Sequence, residues 1–179
     1  NAPMGKYGVM GSNGYTSNFF GMGDLFYAEA GIEISKKITK DFKLSAMYMF
    51  QKYNKTVIEG EGGMIDSHIV VLDGKYQISK KVTARMELQY LNTKQDEGDW
   101  LYGLVEVSVL PYLMFTVADM WNVGETNIHY YQALVTGTIG SHRLQAGYVR
   151  TRAGYNCAGG VCRYIPATRG VQISYSYNF

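Results

Sequence analysis

The last nine residues of the chain alternate without interruption between apolar and small polar side chains. The apolar positions are Val171, Ile173, Tyr175, Tyr177 and Phe179. Because successive side chains of a β-strand point to opposite faces, residues 168–179 predict a strand with one apolar and one polar face. Any fold that contains this strand has to cover its apolar face with protein or with lipid.

The same alternation recurs upstream and predicts eight more strands, separated by polar or glycine-containing segments that predict turns and loops. The nine predicted strands are 25–36, 42–53, 66–78, 82–93, 100–109, 112–121, 127–139, 142–152 and 168–179. Residues 1–23 are rich in glycine and predict a loop or a partial strand. The sequence thus predicts an all-β, antiparallel fold without helices, in which residues 24–179 form a β-barrel wall.

The predicted connections alternate in length along the chain. Those after the first, third, fifth and seventh strands are short turns, whereas the others are longer loops, such as 54–65 and 153–166. Transmembrane barrels have short periplasmic turns at one rim and longer extracellular loops at the other. The predicted strands are also long enough for the roughly 9–11 residues of a tilted crossing. The pattern therefore favours a transmembrane barrel over a lipocalin-like soluble barrel, whose apolar faces point inward.

If the apolar faces contact lipid, the opposite faces line the interior of the barrel, and they carry charges of both signs. The predicted lumen-lining residues are Glu29, Glu33, Lys43, Lys75, Arg85, Glu87 and Glu106. The bulky side chains of Met47, Met49 and Leu91 share this face and favour a filled lumen. Tyr and Trp residues gather near the predicted strand ends, as an interfacial aromatic girdle requires.

An aromatic residue at the very C-terminus is typical of bacterial outer-membrane barrels, where it lies at the periplasmic interface. Tyr175, Tyr177 and Phe179 are therefore predicted to form a C-terminal insertion signal. The predicted location is the bacterial outer membrane, with the short turns and the C-terminus periplasmic and the long loops extracellular. The predicted partners are outer-membrane lipid and other outer-membrane or surface proteins.

Composition excludes two other classes of protein. Lys and Arg number 17 against 15 Asp and Glu, so charge gives no reason to expect a nucleic-acid partner. No apolar run approaches the roughly 20 residues that a transmembrane helix needs.

The chain begins Asn1-Ala2-Pro3, without an initiator methionine or a signal peptide, which predicts a processed or incomplete form.

Residues suited to catalysis or metal binding are scattered. Glu59, Glu61, Asp66 and His68 could meet around a hard cation, but they lack the spacing of an EF-hand, and solvated acidic side chains are the simpler interpretation. The three histidines lie on different predicted strands or turns, Gly140-Ser141-His142 is a turn rather than a catalytic motif, and no serine lies in a Gly-x-Ser-x-Gly context. The sequence therefore predicts no catalytic residue, no metal site, no cofactor and no enzymatic activity.

The two cysteines, Cys157 and Cys162, flank Gly159-Gly160 in a predicted extracellular loop. Two cysteines without a histidine or a second pair make a poor zinc site. Compartments outside the cytoplasm permit disulfides, and the glycines let the backbone bring the Cα atoms within bonding range. The predicted outcome is a disulfide that orders the loop locally, rather than a metal or redox pair.

Several segments together resemble the C-terminal part of a Bacteroidota outer-membrane β-barrel family of unknown function. They are the Gly-rich 59–64 loop, the 53–55 strand end, the 93–96 loop, the Leu110-Pro111 turn and the Cys-x4-Cys run 152–166 before the Phe-terminated strand. The resemblance covers roughly residues 20–179, and the Cys-x4-Cys run is its most specific part. It implies a location and a fold, and members longer than this chain, but no activity or catalytic residues.

Two functions are consistent with these patterns. The favoured one is a structural or partner subunit of a surface membrane complex, whose lumen is closed by its own opposite charges and bulky side chains. The alternative is a porin-like channel for small polar solutes, whose mixed charges give weak selectivity. The lumen-facing charges hardly form a stripe of a single sign, which argues against a strongly selective pore.

The direction of the strands predicts that more strands are needed. The first and ninth predicted strands run the same way, so an all-antiparallel barrel cannot close between them. An unpaired strand edge in lipid costs several kcal/mol for each backbone group. The chain is therefore predicted to be the C-terminal portion of a larger barrel, or to have a wall that a partner chain completes.

Overall fold

A computed structural model describes residues 25, 27–56, 62–158 and 161–178, without the side chains of 154–158 and 161–165. These residues form eleven β-strands. The strands are β1 (Tyr27–Lys37), β2 (Phe42–Asn54), β3 (Met64–Gln77), β4 (Val82–Thr93), β5 (Trp100–Val109), β6 (Leu113–Asn122), β7 (His129–Ile139), β8 (His142–Thr151), β9 (Gly154–Ala158), β10 (Val161–Ile165) and β11 (Thr168–Tyr177). In the described part of the chain, only Lys55 and Thr56 have helical backbone.

Nine of these strands form one antiparallel sheet in the order β1-β2-β3-β4-β5-β6-β7-β8-β11. The prediction of an all-β antiparallel fold with nine long strands is thus confirmed. The limits of β4 and β5 coincide with the predicted ones. The alternation of short turns and longer connections is also present in the structure.

The prediction of an unstructured loop over 153–166 is wrong. This segment contains β9 and β10, which pair with each other and form a separate two-stranded sheet. The residues between the two strands are Gly159 and Gly160, a dipeptide that favours a tight hairpin connection. The hairpin lacks the regular apolar alternation of the other strands, which is why periodicity alone did not identify it.

The described sheet is open, so the closed barrel is not part of the observed architecture. Its two edges are β1 and β11, and no described strand pairs with the outer side of either. The two edge strands run in the same direction, which prevents antiparallel pairing between them. No helix among the described residues has the length and apolar character needed to cross a membrane. The predicted segment 1–23 lies outside the described residues.

Register keeps the two faces of the sheet separate from strand to strand. Ile32 pairs with Tyr48, Tyr48 with Val70, and Val70 with Tyr90, so their side chains share one face. We call this side, which carries Ile32, Leu72, Met86, Val117 and Ile173, the apolar face. Its side chains are exposed, and Val171 reaches 75% exposure.

The opposite side, which we call the polar face, contains the buried residues of the sheet. They are Ser67, Thr93, Thr116, Ala118, Asn122, Thr136 and Val149. On this face the ring of Trp100 in β5 stacks on Tyr130 in β7, across the intervening strand, with centroids 6.1 Å apart. Side chains that meet across a strand indicate that the sheet curls toward its polar face. The sheet therefore hides polar side chains and exposes apolar ones, the inverse of a water-soluble β protein.

Candidate functional site

All seven predicted lumen-lining residues lie on the polar face. Registers place Lys43 opposite Lys75, Lys75 opposite Arg85, and Arg85 opposite Glu106 in one row across four strands. Glu87 lies two residues from Arg85 on β4, and Glu29 and Glu33 lie on β1. Whether these residues line a closed lumen stays a prediction, because the described sheet is open.

Three of the seven, namely Arg85, Glu87 and Glu106, lie together, with Arg85 at the centre. Its Nε lies 2.6 Å from Oδ2 of Asp73, and its Nη2 also contacts Glu87. Glu106 faces Arg85 in register and adds to the negative field around it. Alternation with Lys75 also predicts Asp73 on this face, and the register places it there. Arg85 is the one cation of this cluster and faces three carboxylates, so the cluster is formally net negative and has no free cation to offer a solute.

The other four residues do not join this cluster. Glu29 accepts a hydrogen bond from the hydroxyl of Tyr27, at 2.5 Å. In the described part of the chain, Glu33, Lys43 and Lys75 make no ion pair, and all three are exposed. The polar face therefore has a centre in which one guanidinium is paired with carboxylates, and solvated charges toward the short turns and β1.

A second arrangement lies at the long-loop end, where residues 94–99 and 122–128 form what we call the loop unit. Asn122 is fully buried at its centre. Its Nδ2 donates to the carbonyl of Glu97 at 2.9 Å, and its Oδ1 accepts from the N–H groups of Glu125 and Thr126 at 3.0 and 2.7 Å. One side chain thus fixes the ends of two loops to each other.

Asp99 ties the same loop unit to β4. Its carboxylate accepts hydrogen bonds from the hydroxyl of Tyr90 at 2.5 Å, the amide of Asn92 at 3.0 Å and the N–H of Thr93 at 2.9 Å. The Tyr90 hydroxyl, followed by the Thr93 and Asn92 donors, holds the pKa of Asp99 below its usual range, against the opposite effect of desolvation. The charged form of Asp99 is therefore the one that the fold stabilises.

Close backbone packing completes the loop unit. The N–H groups of Val123 and Gly124 both donate to the carbonyl of Asp99, at 2.8 and 3.0 Å. A Cβ added at Gly124 would lie 2.4 Å from the backbone nitrogen of Asp99 and 2.7 Å from the Cα of Gly98. Glycine at 124 is required because the two loops touch there.

A cavity of about 560 Å³ opens on the polar face beside the loop unit. Its lining combines aromatic, aliphatic and uncharged polar side chains. They include Tyr53, Trp100, Tyr102, Ile69, Leu91, Met120, Gln51, Ser67, Gln89 and Thr93. Sequence reasoning did not find this cavity, because its residues come from five strands and three connecting segments and share no local motif. Its one sequence signal is the row of Tyr and Trp residues at the strand ends.

Two ion pairs lie among the residues that line the cavity. Nζ of Lys55 lies 2.9 Å from Asp96, and Nη2 of Arg152 lies 2.5 Å from Glu97. The guanidinium of Arg152 also lies 4.9 Å from the ring centre of Trp100, a cation–π contact. The cavity lining contains both charge signs in equal number and carries no net charge.

The remaining predicted sites have different outcomes. Tyr175 and Tyr177 lie exposed on the apolar face, and Phe179 lies outside the described residues, so the insertion signal stays a prediction. Backbone register places Cys157 directly opposite Cys162, but their side chains lie outside the described part, so the disulfide also stays a prediction. The described residues hold no group of three potential metal ligands, and Glu59 and Glu61 lie outside them.

Comparison with models of protein families finds a match over residues 4–179, to a family described only as one of unknown function, DUF6029. No curated protein and no solved structure matches the chain.

Proposed function

The chain belongs to this family of unknown function, and we propose that its nine-stranded sheet is part of the wall of a β-barrel in a bacterial outer membrane. The protein would act there as a structural or partner subunit of a surface membrane complex. The observation that carries the proposal is that each of the nine strands exposes large apolar side chains on the apolar face, while the polar face contains the buried residues. The resemblance to Bacteroidota barrels supports the same location.

Water is a poor solvent for this apolar face. Soluble monomers rarely expose a contiguous apolar patch larger than a few hundred Å². Here the exposed apolar side chains extend over all nine strands, from Ile32 in β1 to Ile173 in β11. Lipid satisfies such a surface without a second protein layer, because hydrocarbon chains are as apolar as the side chains they touch.

The dimensions of the strands support a membrane crossing. The shortest strands of the nine, such as β5, have 10 residues. At ~3.4 Å per residue and a tilt of ~45°, ten residues rise roughly 24 Å, close to the ~25 Å apolar band of outer-membrane barrels.

Two ion pairs on the apolar face lie toward the loop ends of their strands. Lys52 pairs with Asp66 at 3.3 Å, and Nδ1 of His129 lies 2.6 Å from Asp119. His129 also stacks on Trp121, with centroids 5.0 Å apart. Paired charges beside aromatic rings are suited to the polar interface of a bilayer rather than to its centre.

The open edges support a wall that other strands complete. The backbone groups on the outer sides of β1 and β11 have no strand partner among the described residues. In hydrocarbon such groups cost several kcal/mol each. We propose that strands from a longer form of this chain or from a partner chain pair with both edges.

The subunit role is favoured over a channel because the central arginine is paired with carboxylates and the polar face is partly filled. Arg85 is bonded to Asp73 and Glu87, and the bulky side chains of Leu91 and Met120 lie on the same face. A channel for small polar solutes is the second candidate, and it rests on the exposed charges of Glu33, Lys43 and Lys75. Recordings in planar bilayers separate the two: a silent protein supports the subunit, and stable conductance steps support the channel.

Membrane contact is tested by spin labels on neighbouring residues of β11. Cysteine is introduced by Ile173→Cys on the apolar face or by Ser174→Cys on the polar face, with the native cysteines replaced by serine. In reconstituted protein, we expect the label at 173 to collide mainly with oxygen, which dissolves in lipid. The label at 174 serves as the control and should collide mainly with a water-soluble nickel complex. Equal accessibility of both labels to the nickel complex would refute the membrane wall.

A further inference from the structure

The cavity beside the loop unit has the size and the lining of a binding site. Ligand pockets for small molecules measure roughly 300–1,000 Å³ and combine apolar walls with a few well-placed polar groups. The cavity measures about 560 Å³ and lies on the polar face at the long-loop end. We propose that it binds an uncharged, polyhydroxylated ligand, namely a neutral disaccharide or one end of a longer neutral glycan.

The charges at the cavity argue for a neutral ligand. Lys55 is bonded to Asp96 and Arg152 to Glu97, so each charge in the lining is compensated by a neighbour. A charged ligand would find each opposite charge of the lining already paired, whereas its own partial desolvation in the cavity would cost free energy. A neutral ligand leaves both pairs intact.

The polar groups of the interior argue for hydroxyl groups on the ligand. They are the side chains of Gln51, Ser67, Gln89 and Thr93. A primary amide offers both donors and an acceptor, as a hydroxyl does, so amides and hydroxyls complement each other. Gln89 donates to Glu87 through Nε2, and its Oε1 accepts no hydrogen bond from the described residues. That oxygen is available to accept a hydrogen bond from a ligand hydroxyl.

The aromatic rings argue for a ligand that also has apolar faces. Trp100 and Tyr102 lie two positions apart on β5, so their side chains share a face, and both line the cavity. Aromatic side chains combine a large apolar surface with a polar edge. A sugar ring has the matching character, because its C–H groups form an apolar face and its hydroxyls point outward around the rim. A purely apolar ligand would leave Oε1 of Gln89 without a hydrogen-bond donor among the described residues, which costs free energy.

The two tryptophans make the proposal directly testable. The chain contains only Trp100 and Trp121, so Trp121→Phe leaves Trp100 as the sole reporter at the cavity. The whole protein is held in an amine-oxide detergent, because sugar-based detergents would compete for the site. Maltose, cellobiose and lactose are titrated separately, with lactobionate as an anionic comparison. At least one neutral disaccharide should change the Trp100 emission saturably, with a Kd of ~1 mM, and lactobionate should bind at least about tenfold more weakly.

Variants separate a specific site from a general effect. Gln89→Leu should weaken binding of the neutral disaccharide about tenfold or more. Gln145→Leu is the matched control, because Gln145 lies on the same face in β8, away from the cavity, and bonds Thr136. Calorimetry on the wild-type protein provides a readout that does not depend on fluorescence. The proposal is overturned if no neutral disaccharide binds by either method, if lactobionate binds equally well, or if both variants have the same effect. The site rests on the cavity alone, so these outcomes do not depend on membrane insertion.

Discussion

Asn122 shows how one buried polar side chain can hold two loops together at the long-loop rim of the sheet. Its amide is satisfied at both ends, by a carbonyl from one loop and by N–H groups from the other. A buried amide that lost these partners would cost about 1–3 kcal/mol for each unsatisfied group. The rim beside the cavity is therefore ordered by specific hydrogen bonds rather than by apolar packing.

Asp99 predicts a pH dependence of stability. Its pKa is lowered in the folded state, so its stabilising contribution is complete above its ordinary pKa and is lost as pH falls through the folded pKa. We expect Asp99→Asn to lower the apparent Tm at pH 7 by roughly 2–6 °C, for a loss of about 1–2 kcal/mol.

The difference in apparent Tm between the wild type and this variant should shrink as the pH falls below about 4. Thermal unfolding followed by circular dichroism at several pH values measures it. Glu125→Gln is the control, since the exposed Glu125 side chain bonds no described residue. A difference in Tm that stays constant down to pH 3 would contradict the assignment.

Cys157 and Cys162 are predicted to be bonded to each other. Directly opposed residues of an antiparallel pair have Cα atoms ~4.5–5.5 Å apart, within the range that a disulfide spans. The closed loop is short, so the effect on global stability should be small and the effect on the hairpin local. Mass spectrometry of the unreduced, alkylated protein should find one cross-linked peptide. Two alkylated cysteines would show that the bond does not form.

At the scale of the element, the contact between the two loops predicts a glycine requirement. Gly124→Ala would place a Cβ 2.4 Å from the nitrogen of Asp99, so the loops must separate or the backbone must shift. We expect the amides of Val123 and Gly124, which donate to Asp99, to lose protection in hydrogen exchange. Gly103→Ala is the control, because nothing lies within 4 Å of its added Cβ. Unchanged protection in the first variant would mean that the loops tolerate the methyl group.

The elements differ in how much of their structure could be predicted from the sequence. The limits of β4 followed from the alternation between Val82 and Tyr90 and from the polar segments on either side of the strand. The face of Arg85 followed in the same way, but its contact with Asp73 depends on register, which alternation does not determine. The bond of Asn122 to Glu97 joins residues 25 positions apart, and no local pattern encodes it. The same holds for the cavity, whose lining is assembled by strand pairing.

At the scale of the whole molecule, the last prediction concerns the backbone hydrogen bonds at the two edges of the sheet. In β11 the backbone amides alternate between those that face β8 and those that face outward, away from the described sheet. If the wall is completed by further strands, both sets are hydrogen-bonded, because an open edge in hydrocarbon is strongly unfavourable.

Hydrogen exchange of the membrane-embedded native protein tests this directly at the residues from Val171 to Tyr177. We expect all of these amides to be protected to a similar degree. The amides of β5, which has a partner strand on both sides, provide the internal standard for full protection. Protection of alternate residues only, with the others exchanging as freely as an unstructured peptide, would mean that β11 is a true edge. The sheet would then have to shield that edge from lipid in some way other than strand pairing.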